Sequence, residues 1–93
     1  MMSRSQFEKD ILRMFGQVVA RDVNKKKITP EAAFKSELKM DSLGLISLVH
    51  LIEEAFHIDL FSQTEKLAEA EFVREIVDIA FRVYTEESGA GGS

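Results

Sequence analysis

The sequence predicts an all-α fold: a small four-helix bundle with three longer helices, one short third helix, and a long ordered loop between helices 1 and 2. Apolar residues recur at three- and four-residue steps in three separate segments, and no segment shows strand-like alternation of useful length. The 93 residues suit one small domain. We expect that domain over residues 1–87, followed by a flexible Gly/Ser tail over residues 88–93.

The first helix is expected over about residues 5–23. Ser5 and Glu8 have the spacing of a capping box, which predicts a helix start. Asn24 is a plausible stop. Apolar residues between them follow helical spacing: Phe7, Ile11, Phe15 and Val18.

The segment from Ile28 to Met40 is predicted to be a long ordered loop with a helical turn near residues 30–33. It contains the only proline, Pro30, and its apolar residues are spaced as anchors rather than at a helical period. The basic run at residues 25–27 that precedes it is interpreted as a solvated loop, since three charges are few for a nucleic-acid or lipid footprint.

The second helix is expected over about Asp41 to Phe56, because Asp-Ser directly before an apolar run is typical of a helix start. A helical wheel places one set of residues on the core face: Leu45, Leu48, Val49, Ile52 and Phe56. Leu43 and Leu51 fall on the opposite, polar side, where they are either a contact surface for a partner or ordinary surface leucines. The short third helix is expected near residues 63–70 and the last helix over about 71–85.

Composition excludes several classes of function. The net charge of −4 disfavours nucleic acid as the main partner. The chain has no cysteine, so it offers no disulfide, thiol nucleophile or Cys-based metal site. No apolar run reaches membrane-spanning length, and the polar N-terminus does not read as a secretory signal. We therefore expect a cytoplasmic protein, and nothing in the sequence demands more than a monomer.

Ser42 is the candidate functional residue. As a nucleophile it would need a nearby base, yet the nearest histidine, His50, lies about 12 Å further along the same helix at 1.5 Å per residue. His50 and Glu53 alone do not make a metal site. As a modification site, Ser42 would hold a phosphate at a helix N-terminus, which favours anions. Asp41 would cap the helix and help to hold a divalent cation during attachment. Simple capping by both residues explains the pattern equally well.

The chain resembles the acyl carrier proteins in four places. Asp41-Ser42-Leu43 is similar to the family's phosphopantetheine attachment motif. The loop that leads to that motif in the family resembles residues 28–34 and 37–38 of this chain. The end of the family's second helix resembles residues 53–56, and its fourth helix resembles residues 72–83. The resemblance runs from about residue 7 to residue 84.

The resemblance implies a non-catalytic carrier with 4′-phosphopantetheine attached to Ser42, flanked by Asp41 and Leu43. A separate phosphopantetheinyl transferase that uses Mg²⁺ would attach the arm from coenzyme A with help from Asp41. The arm's thiol would carry acyl groups as thioesters to acyl-transferring or acyl-processing enzymes of fatty-acid, lipid or polyketide-type biosynthesis. The positions that would meet those enzymes are Leu43, Ile46, Ser47, His50, Glu53 and Glu54. A tentative acyl pocket would be formed by Phe34, Leu48 and Ile52.

The chain departs from the family pattern at four positions. Lys39 stands where the family usually has glycine, Gly44 and Ser47 where acidic residues are common, and His50 where an apolar residue is common. We therefore expect a specialised member. Two alternatives remain: a peptidyl carrier, and an unmodified helical adaptor that binds a partner through Leu43, Leu51 and His50.

Overall fold

The computed structural model describes the backbone of residues 2–92 and the side chains of residues 2–87. It confirms the all-α bundle: the part described contains four α-helices and no strand beyond one isolated bridge. The helices are α1 (Arg4–Val18), α2 (Ser42–Phe56), α3 (Thr64–Glu69) and α4 (Val73–Gly92). Two short 3₁₀ turns precede the loop and α3, at Lys25–Lys27 and Phe61–Gln63.

The core lies between α1, α2 and α4. The predicted core face of α2 is confirmed, since Leu45, Leu48, Val49 and Ile52 are buried and Phe56 is half-buried. Phe7 of α1 is fully buried and packs on Phe56, with ring centroids 4.4 Å apart. Burial of each such side chain is worth about 1.5–3 kcal/mol, so this apolar contact holds α2 on the bundle.

Helix α1 begins and ends earlier than predicted. Its N-cap is Ser3, whose hydroxyl accepts a hydrogen bond from the Gln6 N–H (3.1 Å), so the capping box expected at Ser5 is wrong. The helix ends at Val18, and Asn24 instead caps the 3₁₀ turn at Lys25–Lys27 by accepting from the Lys26 N–H. Val19 and Val23, beyond the helix, are both buried.

The loop between α1 and α2 is ordered, as predicted, because it is fastened to the start of α4. Backbone N–H groups of Phe34, Val73 and Arg74 make bonds of 2.8–3.1 Å that join the loop to the α3–α4 connection. The isolated bridge between Ala33 and Phe72 lies at the same place. These backbone contacts hold the loop against the bundle just before the chain enters α2.

The short third helix is confirmed, and it follows directly on its 3₁₀ turn. Helix α4 is assigned to Val73–Gly92, so it ends later than the predicted residue 85. The flexible tail expected at residues 88–93 falls where no side chain is described, and it stays a prediction.

Candidate functional site

Ser42 is the first residue of α2, and its side chain is exposed. Asp41 is the N-cap: its Oδ1 accepts a hydrogen bond from the Gly44 N–H (2.9 Å), and its carbonyl accepts from the Leu45 N–H (3.0 Å). Helix geometry leaves the N–H groups of Ser42 and Leu43 without an intrahelical partner. The Ser42 hydroxyl therefore stands beside free donors at the positive end of the helix dipole.

Two residues before Asp41, the backbone turns sharply. Lys39 has φ of 54°, in the left-handed region that favours glycine. Met40, the next residue, is buried at 7% exposure, and its N–H donates to the Phe34 carbonyl at 3.0 Å. The left-handed turn thus carries the chain from a buried anchor to the exposed Asp41 and Ser42. A glycine at position 39, which the family resemblance leads us to expect, would adopt this conformation without strain.

A groove of about 350 Å³ opens beside Ser42, on the side toward α3. Its apolar wall is formed by four residues: Phe34, Met40, Leu45 and Ala68. Lys35 also lines it, and its Nζ donates to the Ala68 carbonyl and lies 5.8 Å from the Phe34 ring centroid. The Lys35 side chain therefore bridges the loop and the end of α3.

The tentative acyl pocket is only partly reachable in this structure. Phe34 lines the groove beside Ser42. Leu48 and Ile52 are at 0% exposure, packed in the core behind it. An acyl chain would reach them only if core side chains moved, so this pocket stays a prediction.

A second groove, of about 310 Å³, lies on the opposite flank of the start of α2. Leu43, Gly44 and Ser47 form one wall, residues 18–20 at the end of α1 form another, and residues 39–41 also line the groove. A Cβ at Gly44 would meet Asp41 Oδ1 at 3.5 Å and Met40 Cε at 3.7 Å, which are ordinary contacts. Glycine is therefore not sterically required at position 44, and the charged residues that line this groove are Lys39 and Asp41.

The predicted partner face of α2 is largely exposed. Leu43 is 74% exposed and Ile46 38%, and the side chains of Ser47, His50 and Glu54 also face solvent. Leu51, which the adaptor alternative requires, is half-buried. Partner binding by these residues stays a prediction.

Glu53 differs from the rest of that set, because its carboxylate is used inside the fold. Oε2 accepts hydrogen bonds from the Leu60 N–H (2.9 Å) and the Phe61 N–H (3.0 Å). These bonds fasten the start of the 3₁₀ turn to α2. Phe61 itself is 59% exposed, a large apolar surface that the sequence reasoning did not single out.

The site suits a phosphodiester-linked arm on Ser42. The hydroxyl is exposed, neighbouring N–H groups can meet an anion, and two grooves flank Ser42, of which the one toward α3 has an apolar wall. These features, on an all-α bundle of this size, are consistent with the class of carrier domains that present a serine for modification.

Comparison with known proteins agrees with this class. The family model described as "Phosphopantetheine attachment site" matches residues 9–78. The chain is 34% identical over 71 residues to an acyl carrier protein of Rubrobacter xylanophilus, and the aligned region covers 74% of this chain and 85% of that protein. It is 39% identical over 57 residues to an acyl carrier protein of Syntrophobacter fumaroxidans, covering 61% of this chain and 64% of the relative. This chain belongs to the acyl carrier protein family.

Membership implies a covalent 4′-phosphopantetheine prosthetic group and a carrier role. No solved structure gives a significant match to the chain. Within the described residues, none of the helices combines the length and apolar character needed to cross a membrane.

Proposed function

We propose that Ser42 is the attachment residue and that the protein delivers acyl intermediates to partner enzymes of fatty-acid, lipid or polyketide-type biosynthesis. The observation that carries this proposal is the exposed Ser42 hydroxyl at the first residue of α2, within the segment that matches the family model. When attached, the group supplies a thiol that holds acyl chains as thioesters. A cytoplasmic location and a monomeric state stay predictions.

In this proposal each residue around Ser42 has a separate task. The Ser42 oxygen forms the phosphodiester, and the N–H groups at the start of α2 face the phosphate. Asp41 holds the helix start through its bond from the Gly44 N–H. Its second carboxylate oxygen remains available to the Mg²⁺ that the attaching transferase uses. Leu43, 74% exposed, offers an apolar contact next to the reacting hydroxyl.

The partner surface supports a specialised carrier. Gly44 and Ser47 bring no charge, and the Glu53 carboxylate is engaged by two backbone N–H groups. Charge complementarity mainly sets association rate and partner choice, so enzymes that dock on acidic carriers should bind this surface slowly. Equal rates with this protein and a housekeeping carrier, measured with one ketosynthase, would argue against specialisation.

The test of attachment is the intact-protein mass after incubation with coenzyme A, Mg²⁺ and a broad-specificity phosphopantetheinyl transferase. The wild type and Ser5→Ala should each gain one phosphopantetheine, whereas Ser42→Ala should gain none. Ser5 is the matched control because it is also an exposed serine in the first turn of a helix, and it lies outside the predicted partner face. Modification of Ser42→Ala, or none of the folded wild type, would refute the assignment.

The unmodified adaptor is a second candidate, favoured by the exposed Leu43 and Ile46 on one side of α2. It would be supported if the folded wild type stayed unmodified with several transferases and still bound a partner through Leu43.

A further inference from the structure

Charge is distributed unevenly along this acidic protein. Residues 1–40 hold nine of the twelve Lys and Arg side chains but only five of the sixteen Asp and Glu side chains. The half that forms α1 and the following loop is therefore net basic, while the half that forms α2, α3 and α4 is strongly acidic. Such an asymmetry creates a local positive field that the overall charge of −4 conceals.

The basic half contains a groove of about 480 Å³ between α1 and the 3₁₀ turn Lys25–Lys27. Three cationic side chains line it, from Lys9, Arg13 and Lys25, and all three are exposed. None of its lining residues is acidic. Arg13 has one acidic neighbour, Asp10, with an Nη1–Oδ1 distance of 3.5 Å, and its side chain remains 69% exposed.

The floor of this groove is apolar. Leu12 and Ile28 are half-buried and pack against the core while they line the groove. Gly16 keeps the floor open: a Cβ there would lie 3.8 Å from Ile28 Cδ1 and 4.0 Å from Lys25 Cδ. A larger side chain at position 16 would therefore extend into the space that the groove now offers.

We propose that this groove is a second docking surface, for an acidic segment of a partner protein that also carries an apolar side chain. The carboxylates would meet Lys9, Arg13 and Lys25, and the apolar side chain would cover the floor. Concave shape with an apolar floor favours a peptide segment over a phosphate backbone or a flat lipid surface, and the acidic remainder of the protein is repelled by anionic membranes. None of the residues that line the grooves beside Ser42 lines this one, so the proposal stands independently of the attachment chemistry.

The test is an NMR titration of the ¹⁵N-labelled full chain with a synthetic peptide of repeated Glu-Glu-Leu triplets. Two matched peptides, with Gln for Glu and with Ser for Leu, separate the charge from the apolar contribution. We expect shifts to concentrate at the amides of Leu12, Gly16 and Ile28, and binding to weaken as salt rises. Both matched peptides should bind at least about tenfold more weakly.

Protein variants then locate the contact. Lys25→Glu should weaken binding at least about tenfold, whereas Arg82→Glu, the same charge change on α4, should leave it within about twofold. Gly16→Leu should abolish binding by filling the floor. It should stay folded by circular dichroism, because leucine is a better helix former than glycine.

Four outcomes would overturn the proposal. The first is that the acidic peptide causes no localised shifts, and the second is that the Gln peptide binds as tightly as the acidic one. The third is that the protein binds only to vesicles containing phosphatidylglycerol. The fourth is that the peptide does not bind and the protein instead self-associates with rising concentration, in a way that Lys25→Glu removes. The third would assign the groove to a lipid surface and the fourth to a second copy of the chain.

Discussion

Lys39→Gly should stabilise the protein, although it deletes a charged side chain. The residue sits at φ of 54°, and an L residue with a Cβ in this region costs about 1–2 kcal/mol. Glycine removes that cost but loses about 0.5–1 kcal/mol more backbone entropy on folding. The net gain in free energy of unfolding should lie between about 0 and 1.5 kcal/mol; its midpoint of about 0.75 kcal/mol corresponds to about 3–6 °C in Tm for a domain of this size.

Urea and thermal unfolding followed by circular dichroism measure this change, and coincident transitions would validate a two-state treatment. Lys39→Ala is the control: it removes the same charge and keeps a Cβ, so it should stay within about 0.5 kcal/mol of the wild type. His57, the C-cap of α2 at φ of 56°, is an independent site where glycine should also stabilise. Equal stabilities for Lys39→Gly and Lys39→Ala would refute the backbone argument and assign any effect to charge.

Three further changes test other parts of the structure. The Phe72 and Glu71 N–H groups donate to Glu75 and lower the pKa of its carboxyl below the ordinary value. The ionised Glu75 carboxylate therefore stabilises the folded state fully at a pH above the ordinary pKa of a glutamate. This contribution is lost as the pH falls through the lowered pKa of the folded protein. Glu75→Gln should thus reduce stability at neutral pH, with a difference from wild type in urea unfolding that shrinks as the pH falls below the ordinary pKa of a glutamate; a constant difference would contradict this. Asp41→Ala should cost about 1 kcal/mol of unfolding free energy by removing the cap of α2. Asp41→Asn should keep most of that stability and, on the proposed role of the carboxylate, load phosphopantetheine more slowly; normal loading would leave Asp41 with capping alone. Gly16→Ala should raise stability by about 0.5–1 kcal/mol in urea, because its Cβ meets ordinary contacts within a helix; destabilisation would mean that the helix contact there is tighter than described.

Local sequence signals predicted α2 well and α1 poorly, for a physical reason. At α2, the cap and the apolar face agree: Asp41 accepts from the Gly44 N–H, and the predicted core residues are buried. At the end of α1, Val19 and Val23 continue the four-residue spacing from Phe15 and are indeed buried. However, these two residues lie in the turn that follows the helix and not in the helix itself, since the backbone of Val19 is extended, with ψ of 154°. Periodicity reports which residues are buried but not whether a helix or a turn buries them.

The candidate site shows the same division between local and tertiary information. The position of Ser42 at the start of α2 could be predicted because its signal, Asp-Ser before an apolar run, is local in sequence. The structural use of Glu53 and the exposure of Phe61 were missed, because both depend on a contact between α2 and a turn seven and eight residues further on. No pattern within the helix distinguishes a glutamate that faces a partner from one that accepts two backbone N–H groups.

This use of Glu53 changes how a partner should approach the attachment site. Along the exposed side of α2, the two large apolar side chains are Leu43 and Ile46, while Glu54 keeps its carboxylate toward solvent. With the Glu53 carboxylate turned to the Leu60 and Phe61 N–H groups, it is less available to a partner's cation, so we expect affinity on this side to come mainly from covering apolar surface. Such binding depends on the shape of the partner more than on its charge and varies little with salt. We therefore predict that an apolar recess for Leu43, rather than a surface complementary to an acidic helix, distinguishes the enzymes that dock here.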